Sequence, residues 1–149
     1  MVLEYLIESP VAMLLTESQG EAHLLTTSSF SEAAHYPTTL WVSVNRNSKS
    51  YENLVGNPYF SLAILHSEQQ EIARAYKNGG TVESLPSIVV KEEEKGFYYI
   101  EDMLAVVFCK VRETRDVAEC TLFIGDILRG FVNTGRAYSE HLLLSKVRG

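Results

Sequence analysis

Two polar stretches of this 149-residue chain carry side chains that could do chemistry together, Thr26-Thr27-Ser28-Ser29-Phe30-Ser31 and Asn45-Arg46-Asn47-Ser48-Lys49-Ser50. They supply a row of hydroxyls, a carboxamide and two cations around an apolar strand and at the mouth of the segment after it. Ser48 is of the type that caps a helix, and the first turn of a helix leaves backbone N–H groups unpaired and partially positive. Hydroxyls and a cation at such a start are what a phosphate group needs. The residues therefore point first to a phosphate-bearing ligand. Lys49 is the better cation, lying between two serines in the first turn. Simpler roles stay open at this level: 26–31 as a polar strand end, Ser48 as a cap alone, and Arg46 as one half of a surface or interface ion pair.

The elements that must position these clusters are mostly strands. Residues 11–16 and 22–27 read as strands joined by the turn Glu17-Ser-Gln-Gly20, a β-hairpin. His35-Tyr-Pro37 breaks the chain, and 39–44 runs as a third strand with Leu40, Val42 and Val44 on one face and Trp41 and Ser43 on the other. Ser48 caps a short helix over 49–55 whose Tyr51, Leu54 and Val55 share a face, and Gly56-Asn-Pro58 stops it. Residues 59–65 form a fourth strand. Ser67 and Gln70 have capping-box spacing, which opens a helix through Tyr76 that Asn78-Gly-Gly80 ends. Ser84-Leu-Pro-Ser87 reads as a loop, 88–90 as a brief strand or anchor, and 91–95 as a solvated charged turn. Strands over 104–111 and 121–128 follow, a long hairpin if they extend past those limits. Residues 138–145, with three consecutive leucines, read as a last edge strand. Six or seven strands with short helices make a mainly β, α+β domain, an antiparallel barrel with helices outside. No glycine-rich dinucleotide or Walker-type loop is present, so any nucleotide-like ligand needs another device.

The length fits one domain over 1–149, and 46% apolar with 21% charged residues is ordinary for a soluble protein. A net charge of -6 argues against nucleic acid and anionic membranes as partners, and no apolar run approaches the roughly 20 residues that span a bilayer. The amino-terminal segment lacks a secretion signal's basic flank, so the cytoplasm is the expected location. Cys109 and Cys120 have no metal spacing, nor do His23, His35, His66 and His141, and no metal is expected. Cys109 alternates within an apolar strand and reads as core. His35, between the two clusters, is the histidine placed to approach a ligand or a partner chain. Trp41 and most tyrosines read as core or dimer-contact aromatics.

Taken in order, Leu25-Thr-Thr-Ser-Ser-Phe-Ser, Pro37 before a strand, Asn45-Arg-Asn-Ser-Lys-Ser-Tyr-Glu, the run from Gly56 to Leu65, the run from Glu68 to Tyr76, Met103 to Val111 and Thr121-Leu-Phe-Ile-Gly-Asp-Ile127 resemble the flavin reductase-like FMN-binding split barrels. The resemblance covers most of the chain from Pro10 to Leu128. It implies an antiparallel Greek-key split β-barrel with short flanking helices that forms a homodimer and binds FMN near the subunit interface. Thr26, Thr27, Ser28 and Ser29 would line the isoalloxazine, largely through backbone groups. Asn45, Ser48, Lys49 and Ser50 would hold the ribityl-phosphate end. The implied activity is that of an NAD(P)H-dependent oxidoreductase, hydride passing from NADH or NADPH to flavin and electrons onward to an acceptor.

One departure bears on that activity. The family commonly has Gly-Asp-His-Thr before the strand Leu-Phe-Ile-Gly, its histidine near the flavin and the nicotinamide; here the stretch is Ala118-Glu-Cys-Thr121, with Cys120 in the histidine's place. A thiol is a weaker donor and does not become cationic. An FMN-binding electron carrier or flavin sensor without catalysis is thus the alternative, and a haem-binding or purely structural dimer module is a third reading. Cys120 is the candidate side chain near the flavin. Glu8-Ser-Pro10 also replaces the family's small Thr-Gly turn, and 81–98 has no clear counterpart.

Overall fold

The structure is a computed structural model that describes residues 8–81, 89–92, 97–136 and 140–147. Its first hairpin pairs β1 (Ala12–Ser18) with β2 (Glu21–Thr27). The turn is shorter than the four residues expected: Gln19 and Gly20 make it alone, both left-handed at φ 55° and 82°. Two such residues match the right-handed twist of the flanking strands. Both faces of β1 are covered, with Met13 and Leu15 in one core cluster and Ala12 and Leu14 in another, which is why the segment reads as a continuous apolar run.

A strand the sequence did not announce follows, β3 (Phe30–His35). It is an edge strand, paired only to β4 (Thr38–Asn45) and exposed along nearly its whole length, so it carries no apolar alternation to read. In β4, Leu40, Val42 and Val44 are buried while Trp41 and Ser43 are partly exposed, as the alternation requires. Helix α1 (Lys49–Gly56) is capped by Ser48, and the Asn57 amide closes it on Asn53 O at 2.8 Å. The inward face differs from the one expected. Ser50, Asn53 and Leu54 are buried, whereas Val55 is 67% exposed. Asn53 Nδ2 donates to Thr16 Oγ1 at 3.2 Å, and this buried polar bond docks α1 on β1.

Strand β5 (Tyr59–Ile64) lies between β1 and the long β9 (Ala105–Val117), which forms a hairpin with β10 (Cys120–Val132). The hairpin does extend past the limits read from the apolar runs, to a two-residue turn at Ala118-Glu119. Helix α2 (Gln70–Ala75) starts later than the capping-box spacing predicts, and Ser67 does not cap it. Instead Gln69 Oε1 accepts the His66 amide and His66 Nδ1 accepts the Glu68 amide. Short ribbons β6 (Gly80–Thr81), β7 (Val89–Lys91) and β8 (Tyr98–Ile100) follow, so the six or seven strands expected become ten among the described residues. The loop expected at 84–87 and most of the charged turn at 91–95 lie outside the described residues, as does Tyr138. The last segment is no edge strand. His141 bridges His66, Leu143 bridges Pro10, and a 3-10 turn (Leu144–Lys146) follows. Leu142 is fully buried beneath, exchanging backbone bonds with Val11 and Leu65.

The main sheet runs β3-β4-β10-β9-β5-β1-β2-β6, every neighbouring pair antiparallel. Six strand intervals separate β2 from β3, about 29 Å if the sheet were flat. Yet only Ser28 and Ser29 join them, a link that reaches about 10 Å. The sheet must therefore curl until β2 and β3 approach. No β2–β3 ladder forms among the described residues, which leaves the barrel split at that seam. The polar run 26–29 is the seam.

Candidate functional site

At the seam three residues of the first cluster, Thr26, Thr27 and Ser29, have distinct jobs. Thr26 is turned inward: its hydroxyl donates to Ala73 O at 2.6 Å and its amide to Tyr76 O at 3.0 Å, fixing the end of β2 to α2. Thr27 Oγ1 accepts the Ser29 amide at 3.1 Å, a local turn that carries the chain across the split. Ser29 O then accepts the Ser43 amide at 2.9 Å. Asn45 stands two residues beyond Ser43 on β4, about 7 Å at a strand's rise. The two clusters that lie apart in sequence are thus joined through one backbone bond.

The second cluster winds into α1. Asn45 Oδ1 accepts the Asn47 amide at 2.8 Å, and Asn45 O accepts both the Ser48 amide (3.0 Å) and the Ser48 hydroxyl (2.7 Å). Ser48 Oγ in turn accepts the Tyr51 amide at 3.1 Å. Ser48 is therefore a true cap, its hydroxyl engaged on both sides. The amides of Lys49 and Ser50, at the first two helical positions, have no acceptor within the helix. Ser50 is fully buried and its Oγ lacks a hydrogen-bond partner, one of two such side-chain atoms among the described residues. Lys49 Nζ lies 3.6 Å from Glu52 Oε2, an exposed pair that holds neither group firmly.

The structure separates the two cations that the sequence offered together. Lys49 stays at the helix start, while Arg46 is bound to the β9–β10 turn through the carbonyls of Cys120 and Ala118. Cys120 pairs with Asn45 across the β4–β10 ladder and is partly exposed. Cys109 is fully buried, and burial pushes its thiol up to about 12. His35 is not drawn to the clusters: it lies exposed at the end of β3, 3.0 Å from Glu32.

His23, which has no metal spacing in the sequence, takes a structural place. It is nearly buried in β2, and burial first, then the Lys49 ammonium, hold its imidazole below the usual histidine pKa. A Cβ on Gly79 would come within 2.5 Å of His23 Nε2, so glycine there is a packing requirement. The signal available was a histidine between Ala22 and Leu24, which does not say what covers it.

A cavity of about 190 Å³ opens beside Thr26, Thr27 and Ser28, with Lys77 and Leu144 on its other wall. A larger cavity, about 800 Å³, lies elsewhere, between α2 and the Asp102–Arg136 pair. There Arg136 donates to Asp102 at 2.6 Å and to Glu140 at 3.2 Å, and His66 Nε2 lies 3.3 Å from Asp102. These contacts tie four chain segments together, and each charged group in them is already paired. No group of three or more histidine, cysteine or acidic side chains among the described residues could hold a metal ion.

Comparison with known proteins agrees with this geometry. The family model described as flavin reductase like domain matches residues 5–148. The NADH-dependent flavin reductase StyB of Pseudomonas fluorescens is 28% identical over 123 residues, 82% of this chain and 71% of that protein. Among solved structures, the NADH:FAD oxidoreductase SgcE6 of Streptomyces globisporus C-1027, in complex with NAD and FAD fragments, matches with a TM-score of 0.84 and 20% identity over 95% of this chain and 84% of that one. The styrene monooxygenase flavin reductase of Pseudomonas putida S12 matches with a TM-score of 0.80 and 22% identity over 95% and 89%. The structural matches establish the split-barrel fold, and the sequence match across nearly the whole chain establishes more: this protein belongs to the flavin reductase-like domain family.

Proposed function

We propose that the chain is a single-domain, FMN-binding oxidoreductase that takes hydride from NADH or NADPH and passes electrons to an acceptor. The observation that carries this reading is the Ser43 N–H bond to Ser29 O, which joins the seam to the loop before α1. A ligand with a ring at one end and a phosphate at the other fits that spacing. The donor set fits a phosphate: two amides without helical acceptors and a lysine, while the Ser50 hydroxyl is buried on the inward face of the helix. Lys49 and the amides of Lys49 and Ser50 would hold the phosphate. Ser48 would act by fixing the helix start, and Asn45 by shaping the loop. Thr27, Ser28 and Ser29 would present backbone groups to the ring edge, while Thr26 anchors them to α2. The flavin supplies the hydride-accepting chemistry when bound, and the protein orients it and excludes competing reactions.

The cavity at the seam is smaller than the roughly 300 Å³ at which small-molecule pockets begin, so one chain supplies a wall rather than an enclosure. A second copy closing the site is therefore part of the proposal, as is a cytoplasmic location, where NAD(P)H is available. The names of the relatives support NADH as donor, and that of the Pseudomonas putida reductase supports an oxygenase as the consumer of reduced flavin. Whether the flavin is FMN or FAD is decided by the same experiment.

A second reading, a flavin carrier or sensor without reductase activity, is favoured by Cys120. Its side chain neighbours Asn45, where a histidine could donate a proton and a thiol does so poorly. The test is a visible spectrum after incubation with FMN or FAD and desalting, then anaerobic mixing with NADH and NADPH. Retained flavin that bleaches supports the reductase; retained flavin that does not bleach supports the carrier. No binding of either flavin, even as a passing substrate, sinks both.

A further inference from the structure

The turn between β9 and β10 is only Ala118-Glu119, and Ala118 is left-handed at φ 51°. Two-residue hairpin turns ordinarily draw on asparagine or glycine for that conformation, because a Cβ is crowded there. The local sequence does not favour this turn, so contacts from outside must hold it. Arg46 provides them. Its Nη1 donates to Cys120 O at 2.5 Å, its Nη2 donates to Ala118 O, and its backbone amide donates to Glu119 O at 3.1 Å. Asp116 Oδ1 lies 3.7 Å from Nη1 and accepts the Thr121 hydroxyl at 2.7 Å, which steadies the guanidinium from the β9 side. A planar fork can serve two carbonyls in fixed directions; an ammonium cannot.

The same contacts reach the candidate site. Residues directly opposite in an antiparallel ladder place their side chains on one face with Cβ atoms about 5 Å apart. Cys120 and Asn45 are such a pair, and Arg46 is covalently next to one and hydrogen-bonded to the other.

We propose that Arg46 is a positioning residue of the site: it fastens the hairpin tip to the 45–48 loop and so holds Cys120 against Asn45, without itself touching phosphate. The binding arm of the test rests on the flavin reading above; the thiol arm does not.

Arg46→Lys, which keeps the charge, and Arg46→Gln, which removes it, are compared with the unaltered protein. In the thiol arm, alkylation of Cys120 by iodoacetamide is followed by mass spectrometry on protein without flavin. Both variants should react several-fold faster, because the tip is released. In the binding arm, FMN affinity is measured by fluorescence over a range of salt. Both variants should bind about tenfold more weakly, the scale of losing a charge-assisted hydrogen bond. The dependence of affinity on salt should stay as in the unaltered protein, since the phosphate keeps its cation.

An Arg46→Lys protein with unchanged affinity and thiol rate overturns the proposal. So does a shallower salt dependence in Arg46→Gln, which would make Arg46 a phosphate ligand. A faster thiol with unchanged FMN affinity reduces Arg46 to a hairpin brace and also overturns it. If the unaltered protein binds no FMN while the thiol arm behaves as expected, the flavin reading has failed and the clamp itself stands. Should both variants misfold by circular dichroism, Asp116→Asn keeps the guanidinium and removes its anionic partner. It should shift both readouts in the same directions by less, and no shift in either rejects the proposal.

Discussion

Cys120 lies directly opposite Asn45 in the ladder between β4 and β10, so its thiol adjoins the loop that opens α1. The pairing brings a residue from the far end of a long hairpin to one that is 75 positions earlier in the chain. It also makes the two cysteines unequal. Cys109, fully buried with its thiol raised to about 12, should resist alkylation in the native protein at pH 8–9, whereas Cys120 should react. Mass spectrometry should find one adduct before and two after denaturation in urea. Native labelling of Cys109 at a rate like that of Cys120 would contradict the described packing.

Lys49→Ala should weaken FMN binding by about 1–3 kcal/mol, the range for removing a charge-assisted partner. The loss should shrink as salt rises, because the lysine is exposed. Isothermal titration at low and high salt measures both effects, and an unchanged affinity would place the phosphate away from α1.

Ser48→Ala removes the acceptor for the Tyr51 amide and the donor to Asn45 O. A lost cap costs about 1 kcal/mol, so thermal unfolding should shift down by a few degrees. FMN affinity should fall as well, through the loosened helix start. Ser48→Thr, which retains the oxygen, should restore most of the stability.

Truncating Leu142→Ala should cost about 2–5 kcal/mol, because this side chain of the carboxy-terminal strap (140–147) is fully buried. Urea unfolding with an unchanged m-value would report this directly. A cost under 1 kcal/mol would mean that the strap contributes little to the core.

The Arg136 guanidinium beside Asp102 holds its carboxyl at about 2, below the usual 3.8. A carboxylate whose folded pKa is depressed adds stability that is complete above its unfolded pKa and lost as pH falls through the folded one. The Asp102 contribution should therefore be present above about pH 4 and disappear between about pH 4 and 2. The Asp102 side chain is about half exposed, so solvent screening keeps this contribution small. Asp102→Asn, which tolerates the left-handed backbone at φ 60°, should lower the melting temperature at pH 6 and converge with the unaltered protein near pH 2. A constant difference across that range would remove the ionic origin.

What depends on neighbours along the chain was legible from the residues alone. The β1–β2 hairpin showed in the turn Glu17-Ser-Gln-Gly20 between apolar runs, α1 in Ser48 and Gly56-Asn-Pro58, and the inward face of β4 in Leu40, Val42 and Val44. The two polar clusters were legible because small hydroxyl residues beside a lysine are a chemical pattern. Strand β3 was not, since an exposed edge strand buries no face and leaves no alternation. The capping box at Ser67 failed because His66 and Gln69 offered competing bonds that spacing alone does not rank. What Arg46 does was settled by tertiary contacts. Residue types favoured Lys49 as the phosphate cation and left Arg46 open, but the carbonyls that claim Arg46 lie more than 70 residues away and approach it only once β10 pairs with β4. The pairing of β3 with β4 likewise brought Ser29 to Ser43 and turned two polar segments into one candidate site. Local propensities act within a few residues, whereas ladders and seams are set by which distant strands can share a core.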